Sequence, residues 1–194
     1  MKLKVGVMGS SGGDLSPEVM EKSYRLGEAI ASRDCVLITG ACPGLPHESV
    51  RGAKAAGGLV VGISPGLSLD EHVRKYGSPT EGYDVLVFTG SGLMGREITN
   101  IRTCDIVVIV GGRTGTLGEF AIAYDEGRLV GILDGTGGIT EVIGDILKVS
   151  AKQTGGRVVF EEDPVRLIDR LLEVYRTEHY RKPSCFCDEK LQAG

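Results

Sequence analysis

Seven short apolar runs, at residues 3–8, 35–38, 59–63, 85–88, 106–110, 129–133 and 158–160, recur between longer stretches of mixed polarity. Most are apolar at every position, Ile106-Val-Val-Ile-Val110 most completely. A strand with one wet face alternates apolar and polar residues, whereas a strand covered on both faces does not. The runs therefore predict an α/β fold, a three-layer Rossmann-like doubly wound sheet of about seven strands, mostly parallel. Helix punctuation agrees. Ser16 stands at a cap position before Pro17 and Glu18, and Gly127 follows a helix ending near Glu126. A last helix is predicted from Pro164 to about Tyr175. Residues 1–178 read as a single Rossmann-like nucleotide-binding domain. Residues 179–194, polar and without periodicity, read as an irregular tail.

Thirty glycines among 194 residues gather after the apolar runs instead of forming a repeat. In open α/β sheets ligands collect at the carboxyl ends of the strands. Four of those loops are glycine-rich: Gly9-Ser-Ser-Gly-Gly13, Gly40-Ala-Cys-Pro-Gly44, Gly90-Ser-Gly-Leu-Met-Gly95 and Gly111-Gly-Arg-Thr-Gly-Thr116. In the last, a buried strand, a glycine turn and an opening helix form a phosphate socket, because the first free amides of the helix point at an anion. Arg96, at the start of a helix predicted over 96–104, is aimed back at these loops, where a guanidinium can fork onto phosphate oxygens. On helical spacing Arg96, Thr99, Asn100 and Thr103 share a polar face, with Ile98 and Ile101 toward the core. Glu119 follows the socket, and its place in a helix's first turn predicts an ionised carboxylate without a general-acid role. Each feature alone has a plainer reading: corner-turning glycines, a solvated helix-end arginine, an acid favoured by the helix dipole. Their combination on one sheet edge points to a ligand crevice. The candidate binding residues are Gly9, Ser10, Ser11, Gly40, Gly44, Met94, Asn100, Gly111, Gly112, Arg113, Thr114, Gly115 and Thr116, with Arg96 and Glu119 as the candidate catalytic pair.

The formal net charge of −4, with no basic stripe, speaks against nucleic acid as a partner. No apolar run reaches the roughly 18 residues of a membrane span, and the start resembles no signal peptide, so the expectation is a cytoplasmic protein without a membrane partner. Five irregularly spaced cysteines argue for reduced thiols, and Cys185-Phe-Cys187 lacks the companions of a zinc site. His47, His72 and His179 are scattered, so no metal is expected. No Gly-Lys-Ser/Thr follows any glycine loop, no acid ends the second strand to hold a dinucleotide ribose, and no Gly-x-Ser-x-Gly elbow is present. No strand-end loop carries the lysine that pyridoxal phosphate chemistry requires, and no cofactor is expected.

The segment Arg96-Glu-Ile-Thr-Asn-Ile-Arg-Thr-Cys-Asp105, followed by Gly112-Arg-Thr-Gly-Thr-Leu-Gly-Glu119, resembles the LOG family, the cytokinin-activating phosphoribohydrolases once labelled lysine decarboxylases. The family pattern places an arginine nine residues before a strand-opening aspartate, then Pro-Gly-Gly-x-Gly-Thr-x-x-Glu. These fall in register on Arg96, Asp105 and residues 111–119, and the likeness covers about residues 3–175. Three positions depart from it: Gly111 replaces proline, Arg113 replaces the second glycine, and Glu97 stands where lysine usually follows the arginine. In this it looks closer to a branch that includes the molybdenum cofactor carrier proteins, which bind and do not cleave. The resemblance implies a nucleoside 5′-monophosphate phosphoribohydrolase, with phosphate on residues 112–116 and Glu119 stabilising an oxocarbenium-like sugar. The alternative is a non-catalytic binder or carrier of a nucleotide or phosphorylated pterin/molybdenum cofactor. A homodimer or higher homo-oligomer is implied in either case.

Overall fold

The computed structural model describes residues 1–179. Seven strands, β1 (Lys4–Gly9), β2 (Val36–Thr39), β3 (Val60–Ser64), β4 (Val85–Phe88), β5 (Ile106–Val110), β6 (Leu129–Leu133) and β7 (Arg157–Glu161), form one sheet in the order β4-β3-β2-β1-β5-β6-β7. Every pairing is parallel. Among the described residues the α-helices are α1 (Pro17–Ser32), α2 (Leu45–Ala55), α3 (Gly92–Thr103), α4 (Thr114–Asp125), α5 (Ile143–Ser150) and α6 (Pro164–Val174). Two apolar clusters lie on opposite faces of the sheet. One joins Val5, Val7 and Leu37 to Leu26, Leu45 and Leu171; the other joins Met8, Ile38 and Ile109 to Ile101, Phe120 and Ile143. This is the three-layer α/β fold that the apolar runs predict.

The caps agree with the sequence. The Ser16 side chain accepts from Val19 N at 3.3 Å, and Asp163 caps α6 through Val165 N and Arg166 N. A π-helical turn, Tyr175–His179, extends α6. The expected tail lies outside the described residues apart from His179, and so do Cys185 and Cys187.

One strand departs from the expectation of two covered faces. Val85, Val87 and Phe88 of β4 are 48%, 41% and 37% exposed. β4 is an edge strand reached from β3 by a loop and the short π turn Glu71–Lys75, so no full-length crossover helix covers it.

The chain order reverses at β1, which pairs with β2 on one side and β5 on the other. Loops after β1 and β5 therefore diverge to opposite faces and leave a crevice at the strand ends. Ser10 ties this edge together. Its backbone N–H donates to Val110 O at 3.2 Å, its carbonyl accepts from Leu45 N at 2.9 Å, and its Oγ accepts from Gly112 N at 2.7 Å.

Candidate functional site

Two adjoining compartments open at the switch point. The deeper one, about 340 Å³, is lined by Gly9, Ser11, Gly40, Met94, Arg96, Thr114, Gly115, Thr116 and Glu119, together with Cys42, Pro46, Leu93 and Glu97. The shallower one, about 280 Å³, is lined by Gly9, Ser10, Ser11 and Arg113 to Thr116. Most of the candidate residues thus share one crevice of the size a mononucleotide-sized ligand needs. Gly44, Asn100, Gly111 and Gly112 line neither compartment.

Those four residues support the crevice from behind. Gly111 and Gly112 sit at φ 59° and 105° and turn the chain sharply out of β5. Their amides are already engaged, Gly111 N on Thr136 Oγ1 at 2.8 Å and Gly112 N on Ser10 Oγ. The first hydrogen bond of α4 closes only at Leu117 N, which donates to Arg113 O. The amides left for an anion are therefore those of Thr114, Gly115 and Thr116, beginning two positions after the Gly111-Gly112 turn. Arg113 is exposed at the rim of the shallow compartment.

Arg96 lies one turn inside α3, because that helix begins at Gly92 and not at residue 96. The residue is 7% exposed, and its Nη1 donates to Gly40 O. Glycine at 40 is what admits the guanidinium, since a Cβ there would lie 2.7 Å from Cζ. Arg96 Nε is buried without a hydrogen-bond partner. The buried side of α3 carries Arg96, Glu97, Asn100 and Ile101, while Thr99 is exposed and Ile98 is 43% exposed. The predicted wheel is thus rotated. Ile98 is outward, and Glu97, absent from the sequence-derived set, is in the crevice. A side chain 100° around the helix from Arg96 gives no periodic signal of sharing its cavity. Its only mark was the departure from the lysine of the LOG pattern.

Glu119 is also placed differently from expectation. It falls in the second turn of α4, beyond the reach of the helix's free amides, and is 7% exposed. Burial, with the nearby Glu97 acting in the same sense, pushes its carboxyl up to about 7 against the opposing pull of Arg96 and a hydrogen bond from Asn100. The expectation of a firmly ionised carboxylate is therefore corrected: near neutral pH this group holds a proton part of the time. Burial also raises Glu97, again opposed by Arg96, and it drives the Cys42 thiol up to about 11. Asn100 stands behind the cavity, with its Nδ2 3.0 Å from Met8 Sδ.

Fold and site together define a doubly wound, Rossmann-like α/β protein with a ligand crevice at the carboxyl edge of its sheet. More narrowly, the chain belongs to the SLOG cluster4 family, whose model matches residues 2–168. It is 37% identical over 134 residues, 69% of this chain and 82% of the relative, to an uncharacterized protein of Archaeoglobus fulgidus. The solved structure of the molybdenum cofactor binding protein from the phototrophic bacterium Rippkaea orientalis is similar at a TM-score of 0.74 and 28% identity, covering 90% of this chain and 98% of that one. The molybdenum cofactor carrier protein of Chlamydomonas reinhardtii is similar at a TM-score of 0.70 and 27% identity, covering 89% and 99%.

Proposed function

We propose that this protein binds a phosphorylated small molecule bearing a nitrogen-containing ring, a nucleotide or a pterin-type cofactor, and holds it without cleaving it. The observation that carries this reading is the adjacency of two unlike surfaces. The free amides of Thr114 to Thr116 open into the same crevice as the buried, polar Arg96, Glu97 and Glu119. A phosphate fits the first and a hydrogen-bonding ring the second. Similarity to solved proteins named for binding and carrying the molybdenum cofactor supports a carrier role.

One observation favours a second reading, hydrolysis of a nucleoside 5′-monophosphate to free base and ribose 5-phosphate, in the manner of the LOG resemblance. Glu119 lines the deep compartment beyond the phosphate turn, with Arg96 beside it. There a carboxylate could take a proton from water as its oxygen bonds to the anomeric carbon, while the breaking C–N bond leaves its electron pair on the base. Calorimetric titration with AMP, GMP, CMP and a pterin monophosphate, followed by chromatography of the mixtures, separates the two. Binding with recovery of intact ligand is the expected result. Free base with ribose 5-phosphate, lost in Glu119→Ala, would make the protein an enzyme, and failure of every phosphorylated compound to bind would remove both readings.

The raised Glu119 carboxyl has a consequence for stability. Between its ordinary value in the unfolded chain and about 7 in the folded one, the native state holds more protons than the unfolded state. Stability therefore falls as pH rises through that window and levels off above it. The unfolding free energy of the ligand-free protein, from urea titrations, is expected to decline from pH 5 to 8 by a few kcal/mol in total, and Glu119→Gln is expected to flatten the decline. An unchanged slope in that variant would place the titration elsewhere.

A homo-oligomer belongs to this proposal. Val85, Val87 and Phe88 of β4 and Leu93, Met94 and Ile98 of α3 are all more than one-third exposed, in an uncharged set of side chains. Val85 and Val87 pair in register with Val61 and Ile63, which places them on the α3 face of the sheet. Light scattering is expected to give a mass of at least about twice 20.5 kDa, and Val87→Lys with Ile98→Lys is expected to reduce it. A monomeric mass at micromolar concentration would count against it.

A further inference from the structure

The balance of donors and acceptors in the deep compartment narrows the ligand's ring. Arg96, Glu97 and Glu119 line it, and each is more than nine-tenths buried. Glu119 has Asn100 as a hydrogen-bonding neighbour. Glu97 makes no hydrogen bond or ion pair among the described residues, and Arg96 Nε is a buried donor without an acceptor. The Glu97 carboxylate lies over a bare face of α4: a Cβ at Gly118 would come 3.3 Å from its Oε2, and one at Gly115 3.8 Å from its Oε1. A carboxylate facing the compartment without a protein donor, beside a buried guanidinium N–H without an acceptor, calls for a ligand that fills both.

The ring edge that does so offers two adjacent N–H donors beside a carbonyl. A carboxylate accepts from the two donors side by side, and the carbonyl accepts from the guanidinium. Guanine and pterins share this edge, that of a 2-amino-4-oxopyrimidine. Adenine turns a ring-nitrogen lone pair toward the carboxylate at the position where guanine has an N–H, so the contact becomes repulsive. We propose that Glu97 reads the ring and that the ligand class is a phosphorylated 2-amino-4-oxopyrimidine, its carbonyl on Arg96. This rests on the phosphate-ligand reading above and adds to it which ring is chosen and by which residue.

Equilibrium titration with GMP, inosine monophosphate and AMP tests it, because the three share ribose 5′-phosphate and offer two, one and no donors to the carboxylate, adenine turning an amino donor toward Arg96 where guanine has its carbonyl. GMP is expected to bind about tenfold tighter than inosine monophosphate and on the order of 100-fold tighter than AMP. A 6-hydroxymethylpterin monophosphate, titrated alongside, is expected to share the GMP preference and distinguishes a pterin from a purine source. In Glu97→Gln and Glu97→Ala the GMP advantage is expected to shrink to a few-fold, through weaker GMP binding together with AMP binding that strengthens as the repulsion is removed, with competition by inorganic phosphate still present. Both variants remove a buried acid, so melting temperatures at or above wild type are expected to certify the fold. Equal binding of the three nucleotides, or a GMP preference surviving in both variants, overturns the ring assignment while leaving phosphate binding intact. Absence of binding by all of them, phosphate included, overturns the phosphate reading itself.

Discussion

Arg96→Met is expected to lower affinity for a phosphorylated ligand more than 100-fold, a loss of about 3 kcal/mol or more. Arg96 is the only cation lining the deep compartment among the described residues. Removing it leaves Glu97 and Glu119 without the positive charge that holds both carboxyls down. An anionic ligand would then enter a cavity of unbalanced negative charge, and Gly40 O would lose its donor. Arg96→Lys keeps the charge but cannot place one N–H on Gly40 O while offering Nε to the ligand, so an intermediate loss is expected. Calorimetry at constant pH and ionic strength checks both. Arg96→Met binding within a few-fold of wild type would mean that the ligand sits outside this compartment.

Gly27→Ala is expected to destabilise the protein by about 2–4 kcal/mol, although alanine is the better helix former by about 1 kcal/mol. Gly27 of α1 and Gly52 of α2 meet nearly backbone to backbone. A Cβ at 27 would lie 2.7 Å from the Ser49 carbonyl carbon and 2.9 Å from Ala53 N, and one at 52 would lie 2.8 Å from the Tyr24 carbonyl carbon. The contact is pinned by Ser23 Oγ, which donates to Leu45 O at 2.6 Å and lies 2.9 Å from Ser49 Oγ. Forcing the helices apart breaks these buried bonds. It also moves the start of α2, whose Leu45 N holds the Ser10 carbonyl at the floor of the crevice, so ligand affinity is expected to fall with stability. Urea unfolding of Gly27→Ala and Gly52→Ala measures the cost. Stabilisation, as helix propensity alone would give, would refute the close approach.

Much of the architecture was legible because covered strands are apolar at every position. The runs at 85–88, 106–110 and 129–133 coincide with β4, β5 and β6, and the other strands begin and end within one residue of their runs. Registration on the LOG pattern also points to Arg96 and Glu119 in one crevice, and both line the deep compartment. The start of α3 was harder to read. Gly92, Leu93, Met94 and Gly95 offer neither a capping side chain nor a polar alternation, and Ser91 makes no side-chain cap. The exposure of β4 was equally hidden, since an apolar strand says that its faces should be covered and not by which chain.

Sequence by itself determined the strand set, the sheet class and the glycine turn that opens α4, because these depend on near neighbours and on the period of apolar positions. Tertiary structure alone decided which amides remain free, that Glu97 shares the cavity, and that Glu119 sits near neutrality instead of being firmly ionised. Local position counts the helix dipole, whereas the removal of water around Glu119 is the work of groups on α3 and the β1 and β2 edges, brought together only by the fold.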